Sequence, residues 1–390
     1  MASNIEDFDY LIVGSGLVGS VIAHELATRK NKKVLVWERR NHIAGNLFDY
    51  MDEYGIRVHK YGPHVFHTNK KELFTYITNF GKFSPFKIKC LVEMEGKLTP
   101  SPFNFQTIDD FYSPEEASLL KNKIRKFFQN REFAPVAEVM NHHDPVIRQY
   151  GEFLFEKDYA PYTAKQWGVS PKDIHPSVLA RVPIRFSYET GYFDDHYQAL
   201  PTNGYTGVIC NLLDHKNIQV ELQIEALSKL IFSDDGRKIT LRGRKKTLEV
   251  IYTGAVDELF AWKYGPLPYR SLSFEFIHEN KESFQDAPLV AYPQRPSYTR
   301  ITEYSKLPVQ RGKGTTYAIE YPKIYNKNLG SEPYYPILTK ESLELYGRYL
   351  KEAQKIENLF IAGRLADFKY YNMDQALERA LQAADEIIAR

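Results

Sequence analysis

A chain of 390 residues is too long for one simple core and points to two or three domains. Its 51 Lys and Arg stand against 49 Asp and Glu, a net charge of +2, which does not suggest a general nucleic-acid or membrane-surface binder. The only cysteines, Cys90 and Cys210, build neither a disulfide framework nor a C-x-x-C metal or redox pair. With no apolar run of membrane-span length and an N-terminal apolar run too short for a signal peptide, the expectation is a cytoplasmic protein, free of metal and of nucleic-acid partners.

In chain order, a short apolar strand Tyr10 to Val13 leads into Gly14-Ser15-Gly16-Leu17-Val18-Gly19. A helical stretch follows from Leu17 to Arg29. A second strand, Val34 to Trp37, ends on Glu38, about 20 residues after the last glycine, the separation of a dinucleotide fold. Gly14 permits the tight turn, Gly16 lets backbone approach a pyrophosphate, and Gly19 lets helix and strand pack closely. The helix N-terminus offers N–H groups to phosphates, and Glu38 can accept hydrogen bonds from a ribose. The turn that starts there, Glu38 to Asn46, is rich in backbone donors and small residues, and the late Gly363-Arg364 segment, followed by a helix opening near Met373, offers a second contact point.

Two histidines, His64 and His67, follow Gly62-Pro63. Without a third ligand or a regular element to present them, they do not read as a metal pair. Ser113-Pro114-Glu115-Glu116 reads as a helix start, with Leu119, Leu120, Ile124, Phe127 and Phe128 as its apolar face. Asp144-Pro145 opens another helix expected to run through Phe155, so about 105 to 180 reads as mainly helical. Tyr162 to Gly168 carries phenol and indole faces suited to a nucleobase. Arg181 and Arg300 are candidate phosphate clamps, because guanidinium pairs with phosphate through two N–H donors, though spacing alone does not single out these two among the arginines.

After Asn203 the pattern turns to short strands: Ile218 to Leu222, Lys229 to Phe232, Lys238 to Leu241, Leu248 to Tyr252, Leu272 to Ile277, Tyr298 to Thr302 and Thr315 to Glu320. The basic run Arg242, Arg244, Lys245, Lys246 reads as a solvated hairpin. Leu359 to Gly363 is a buried-strand pattern, followed by a helix from Asp374 to Ala389. A late strand, a glycine turn and a closing helix suggest that the chain returns to its nucleotide-binding sheet. A long cofactor held from both ends of the chain fits FAD better than NAD. The expected fold class is α/β: a discontinuous Rossmann-like FAD-binding domain (1–85, 203–255 and 338–390), an inserted helical domain (105–180) and an antiparallel β-sheet domain (86–104, 181–202 and 256–337). The 28 Tyr and 24 Phe supply core and flat, hydroxyl-tipped surfaces of the kind a sugar nucleotide needs.

Several motifs in one order resemble the prokaryotic UDP-galactopyranose mutases: the N-terminal fingerprint, Gly62-Pro63-His64-Val65-Phe66-His67-Thr68, Tyr162-Thr163-Ala164-Lys165-Gln166-Trp167-Gly168, Arg181-Val182-Pro183-Ile184-Arg185-Phe186, Gly204-Tyr205-Thr206, Tyr269-Arg270, Tyr298 to Glu303, Pro333 to Ile337, Gly363-Arg364-Leu365 and Tyr370 to Asp374. The resemblance spans essentially the whole chain. It implies that Gly14, Gly16, Gly19, Glu38, Arg39, Gly45, Asn46 and Gly62 hold FAD from the N-terminal side and Gly363, Arg364 and Met373 from the C-terminal side, with His64 beside the isoalloxazine. It implies that Tyr162 and Trp167 form the uridine end. Arg181 (on a mobile loop) and Arg300 would clamp the diphosphate, Tyr192, Tyr335 and Tyr370 would contact it, Arg270 would join the substrate site, and Asn372 would face the sugar. His64, Arg181 and Arg300 would be the catalytic set.

The chemistry implied is a UDP-galactopyranose to UDP-galactofuranose interconversion without net redox. N5 of reduced flavin attacks the anomeric carbon and expels UDP, covalent catalysis by a cofactor. FAD would act reduced, with an external donor of the NAD(P)H type, in a homodimer. Alternatives are a UDP-N-acetylgalactosamine mutase, a flavin oxidoreductase such as an amine oxidase, and a non-catalytic nucleotide binder. The chain departs from the family at Ala44-Gly45, where two glycines are common and Ala is costly if the turn needs positive φ. It also departs at Asn372, where many members carry Asp, at Leu200-Pro201-Thr202-Asn203, and at Ala255-Val256-Asp257.

Overall fold

The computed structural model describes residues 7–168, 182–242 and 247–390. A five-stranded sheet runs in the order Ile218–Leu222, Val34–Glu38, Tyr10–Val13, Glu249–Tyr252, Leu359–Ile361, with every pairing parallel. Its strands come from three distant stretches, so this Rossmann-like unit is discontinuous. Val34–Glu38 is buried at every position, as its apolar run requires of a strand covered on both faces. The fingerprint helix, Leu17–Arg29, packs on the closing helix, Met373–Ala389, one start residue earlier than expected. In parallel sheets ligands gather at the carboxyl ends of the strands, which here are Val13, Glu38, Leu222, Tyr252 and Ile361.

A seven-stranded, mostly antiparallel sheet runs Tyr335–Pro336, Tyr269–Glu279, Thr315–Ile324, Arg300–Glu303, Leu289–Ala291, Cys90–Met94, Lys97–Ser101. Its long central pair, Tyr269–Glu279 with Thr315–Ile324, keeps continuous register from Arg270↔Ile324 to Glu279↔Thr315, longer at both strands than the hydrophobic alternation indicated. The stretch expected to join this sheet between 181 and 202 pairs elsewhere among its described residues. Ile184–Arg185 binds Phe133–Ala134, and Tyr197–Pro201 lies between Phe66–Thr68 and Phe83–Pro85. Lys89 and Gly191 form only an isolated bridge.

The inserted helices are Phe105–Phe111, Pro114–Phe127, Val136–Met140 and Pro145–Leu154. Ser113 caps the second: Glu116 N–H donates to Ser113 Oγ at 3.4 Å and Ser113 N–H to Glu116 Oε2 at 3.1 Å. Its buried stripe is Ala117, Leu120 and Ile124, continued by Phe128, whereas Leu119 and Phe127 are exposed. The expected apolar face was too wide, because neighbours in sequence sit about 100° apart on a helix. The helix from Pro145 does not stop at Phe155. It passes through a π-helical turn, Phe155–Tyr159, into Ala160–Trp167. Pro161 lacks the N–H an unbroken α-helix would use, and a π-turn just before it absorbs the mismatch.

Candidate active site

The first βα turn behaves as its sequence demands. Gly14 has φ +106°, and a Cβ there would overlap Thr253 Oγ1; a Cβ on Gly19 would overlap the Gly14 carbonyl. Gly16 differs: its nearest neighbour to an added Cβ is Gly45 Cα at 3.9 Å, an ordinary contact. The fold does not require a glycine at 16, so the requirement lies with something that occupies the space beside it. Gly45 has φ +53°, and a Cβ on it would come within 3.0 Å of Gly16 Cα. Ala44, fully buried, sits at φ +74°. The turn therefore does use the left-handed conformation that disfavours alanine.

These two glycine turns face a cleft that is partly open to solvent. Gly14, Gly16, Gly19, Glu38, Arg39, Gly45, Asn46 and His64 line it from one side, and Gly363, Arg364, Asn372 and Met373 from the other. The fingerprint helix has neither a side-chain cap nor an acidic residue in its first turn, leaving its N–H groups directed at the cleft. The closing helix begins at Met373, on the far wall. Glu38 is buried and already accepts from Ser15 N–H at 3.0 Å, Ser15 Oγ at 2.9 Å and Arg40 N–H at 3.0 Å. These bonds hold its carboxylate at the end of the strand. Arg39 pairs with Glu332 and, at 3.8 Å, with Glu258. Asn46 Oδ1 accepts from the Arg40 guanidinium at 3.1 Å.

Sequence reasoning missed Tyr252, Thr253, Glu332 and Tyr334, which also line the cleft. Strand order alone would have pointed to the first two, as the carboxyl end of a neighbouring strand. Gly62, at φ +97°, does not line it; a Cβ there would press on Phe274 at 3.3 Å and approach Glu320 Oε2 at 3.8 Å. His64 donates its backbone N–H to His59 Nδ1 at 3.1 Å, and its own Nδ1 is buried without a partner among the described residues. Burial, with help from His59, Arg364 and Arg300, pushes the His64 imidazole down to about 3, so the ring is neutral at physiological pH.

Next to this cleft stands a cluster around Arg300. Its strand pairs Arg300 directly with Glu320, which puts the two side chains on one face. Arg300 Nε donates to Glu320 Oε2 at 2.7 Å, with Nη2 also 2.7 Å from it, and Thr299 Oγ1 donates to Oε1 at 3.2 Å. Burial works against the Arg300 charge, but Glu320 and the phenols of Tyr162 and Tyr335 hold it raised. Burial lifts the phenols of Tyr162 and Tyr335 well above their ordinary range, so both stay protonated donors. Tyr335 and Tyr370 rings lie 5.7 Å apart, and the Arg364 guanidinium sits 5.2 Å over the Tyr370 ring. Tyr192 is close enough to act on Tyr162.

Arg364, on the cleft wall, and Arg300, in the cluster, both lower the His64 pKa, so His64 stands between the two. Arg270 is buried, donating Nε to the Gln166 carbonyl at 2.8 Å and Nη2 to the Lys165 carbonyl at 3.1 Å. Gln166 in turn donates to the Tyr335 hydroxyl. Asn372, expected to face the sugar, lines the dinucleotide cleft at the start of the closing helix. Arg181 and the Trp167 side chain lie outside what is described.

Fold and cleft together define a protein of the Rossmann-type dinucleotide-binding class, with a cationic, tyrosine-rich cluster near the cleft. A family model described as UDP-galactopyranose mutase matches residues 157–370, and one described as NAD(P)-binding Rossmann-like domain matches residues 12–80. The chain is 31% identical to the dTDP-fucopyranose mutase of Escherichia coli, over 96% of this chain and 97% of that protein. It is 32% identical to the UDP-galactopyranose mutase of Mycoplasma pneumoniae, over 99% and 97%. Among solved structures, a reduced UDP-galactopyranose mutase superposes with a TM-score of 0.72 at 17% identity, covering 98% of this chain and 96% of that one. The chain belongs to the UDP-galactopyranose mutase family and is an isomerase of the mutase class.

Proposed function

We propose that the protein binds FAD, active when reduced, and interconverts UDP-galactopyranose and UDP-galactofuranose. The observation that supports this reading most is the position of His64, which lines the glycine-walled cleft and is also influenced by Arg300 of the neighbouring cluster. The residues fit the cofactor: Gly16 leaves space that the protein does not fill, and two helix starts on opposite walls suit the phosphates. Reduced FAD would supply a nucleophilic nitrogen for the anomeric carbon.

The chain's own residues do the rest. Arg300 balances charge building on the departing diphosphate and holds it for return. The protonated phenols of Tyr162 and Tyr335 donate to its oxygens, with Tyr192 and Tyr370 beside them. His64, neutral, presents its ring to the cofactor without adding charge. Glu320 orients Arg300, and Arg270, through Gln166, fixes Tyr335. Arg181 and Trp167 are proposed as second phosphate clamp and base contact on the resemblance alone.

A second reading has direct support: the Escherichia coli relative acts on a dTDP-fucopyranose, so a dTDP-sugar is a competing substrate. The test is to incubate the reduced protein with UDP-galactopyranose, UDP-N-acetylgalactosamine and dTDP-fucopyranose and separate the products by HPLC. A furanose from the first, faster than from the others, is expected. No furanose from any of them would overturn the mutase assignment.

The proposed domain division is that given above, supported for the FAD-binding part by the three-part origin of the parallel sheet, except that the described strands between 181 and 202 pair outside the seven-stranded sheet. We further propose a homodimer in the cytoplasm that draws electrons from an NAD(P)H-type donor. Cys90 and Cys210, both free thiols, suit a reducing compartment, and among the described residues no helix is long and apolar enough to cross a membrane.

A further inference from the structure

The loop Tyr61-Gly62-Pro63-His64 brings His64 to the cleft wall, and two imidazoles hold its ends. His42, in the turn after Glu38, has Nδ1 2.8 Å from the Ile43 carbonyl and Nε2 2.8 Å from the Tyr61 hydroxyl. A carbonyl can only accept, so the proton is on Nδ1 and Nε2 accepts from the phenol. His59 holds the other end. The His64 N–H donates to its Nδ1 at 3.1 Å. That nitrogen therefore bears no proton, and the neutral ring carries its hydrogen on Nε2. The loop lies between the strands Arg57–His59 and Phe66–Thr68, so the His64 N–H is paired by a side chain and not by a strand neighbour.

His59 is a fixed anchor. It ends its strand opposite Asp49 and is only 3% exposed. The Tyr304 hydroxyl donates to its carbonyl at 2.9 Å, and the Tyr205 ring meets its ring edge-on at 5.8 Å. Only an uncharged imidazole serves in this place, because an imidazolium would turn a second N–H toward that of His64. Burial, with help from Arg57, pushes the His59 ring down to about 3, so at neutral pH the lone pair on Nδ1 stays available.

The residue held in this way is the one that lines the cleft and is also influenced by Arg300. Releasing its main chain would move its ring. Resting on the FAD reading above, we propose that His59 is a positioning residue: by accepting the His64 N–H it sets where the His64 ring stands beside the flavin, and with it the electronic environment of the flavin.

The test compares the flavin-loaded wild type with His59→Leu, which keeps the bulk without an acceptor, and with His59→Asn, whose amide oxygen can take the place of Nδ1. The visible spectrum and midpoint potential of the bound flavin are read beside kcat and KM for UDP-galactopyranose. A buried N–H left unpaired drives the loop to another conformation. His59→Leu is therefore expected to shift both flavin readings and to lower kcat by about tenfold or more with KM unchanged, and His59→Asn to restore most of each. A His59→Leu protein with the wild-type spectrum, potential and kcat, or a His59→Asn protein as impaired as His59→Leu, would overturn the assignment. If His59→Leu does not fold, NMR of the histidine ring nitrogens in the wild type decides. The ring missing from the His59→Asn spectrum should carry its proton on Nε2, and a proton on Nδ1 would overturn the assignment. A wild type that takes up no flavin would overturn the FAD reading, and this assignment with it.

Discussion

Replacing Gly16 by alanine separates cofactor binding from folding. An added Cβ at 16 meets only Gly45 Cα, at 3.9 Å, and the backbone there, at φ −70° and ψ −176°, is open to any residue. Alanine is a poorer N-cap than glycine by about 0.5–1 kcal/mol, while the loss of unfolded-state freedom returns about 0.4–1 kcal/mol. The stability of the cofactor-free protein should therefore change by less than about 1 kcal/mol. The methyl, however, projects where a pyrophosphate would meet the helix N–H groups. Losing one charged hydrogen bond is worth about 1.5–3 kcal/mol, a rise of roughly 10- to 150-fold in the FAD dissociation constant. Gly14→Ala is the control: its Cβ overlaps Thr253 Oγ1, whose hydrogen bond to the Val13 carbonyl at 2.8 Å would have to move, so it should destabilise the cofactor-free protein itself. Urea unfolding of the cofactor-free proteins and fluorescence titration with FAD read the two quantities separately. Unchanged FAD affinity in Gly16→Ala, or a stability loss equal to that of Gly14→Ala, would refute the reasoning.

Glu320→Ala leaves a buried arginine without its counter-ion and should lower stability by about 3–5 kcal/mol, whereas Glu320→Gln, which keeps the shape, should lower it less; urea midpoints for the two variants check this. His59 and His64 are each pushed down to about 3, mainly by burial, so the folded protein binds fewer protons than the unfolded chain below about pH 6.5. Stability is complete above that pH and falls as pH drops toward 3, by about 1 kcal/mol per ring between pH 7 and 5.5. Denaturant titrations at those two pH values measure the loss, and His59→Asn should remove about half of this pair's share. In Ala44→Gly, relief of a left-handed alanine, about 1–2 kcal/mol, is offset by a lost buried methyl, about 0.8 kcal/mol, and greater unfolded-state freedom. The net change should lie within about 1 kcal/mol, and a shift beyond 2 kcal/mol in urea would contradict the strain argument.

What could be read from the chain was what is local. The turn at Gly14, the cap at Ser113 and the strand ending at Glu38 each depend on a few consecutive residues, and each forms as its chemistry requires. The partner of Arg300 could not be read that way. Glu320 lies 20 residues on, and only the register of two long strands brings them together. Glu332 and Tyr334 reach the cleft because the edge strand Tyr335–Pro336 of the other sheet begins beside it, which no spacing records. The helix runs on past Phe155 because a π-turn lets the chain continue to Pro161 and beyond, which the local pattern does not reveal. Arg300 and Tyr162 stood out only through the family motifs; in sequence each is an ordinary arginine or tyrosine.

The central claim is that a reduced flavin in the glycine-lined cleft works together with the Arg300 cluster on a nucleotide sugar. Its most direct test follows, in one anaerobic sample, the visible flavin spectrum and the rate of pyranose–furanose interconversion as reductant is added stepwise. The rate should start near zero and rise in proportion to the bleached fraction. Equal rates with the flavin fully oxidised, or a protein that takes up no flavin yet still turns over, would contradict it.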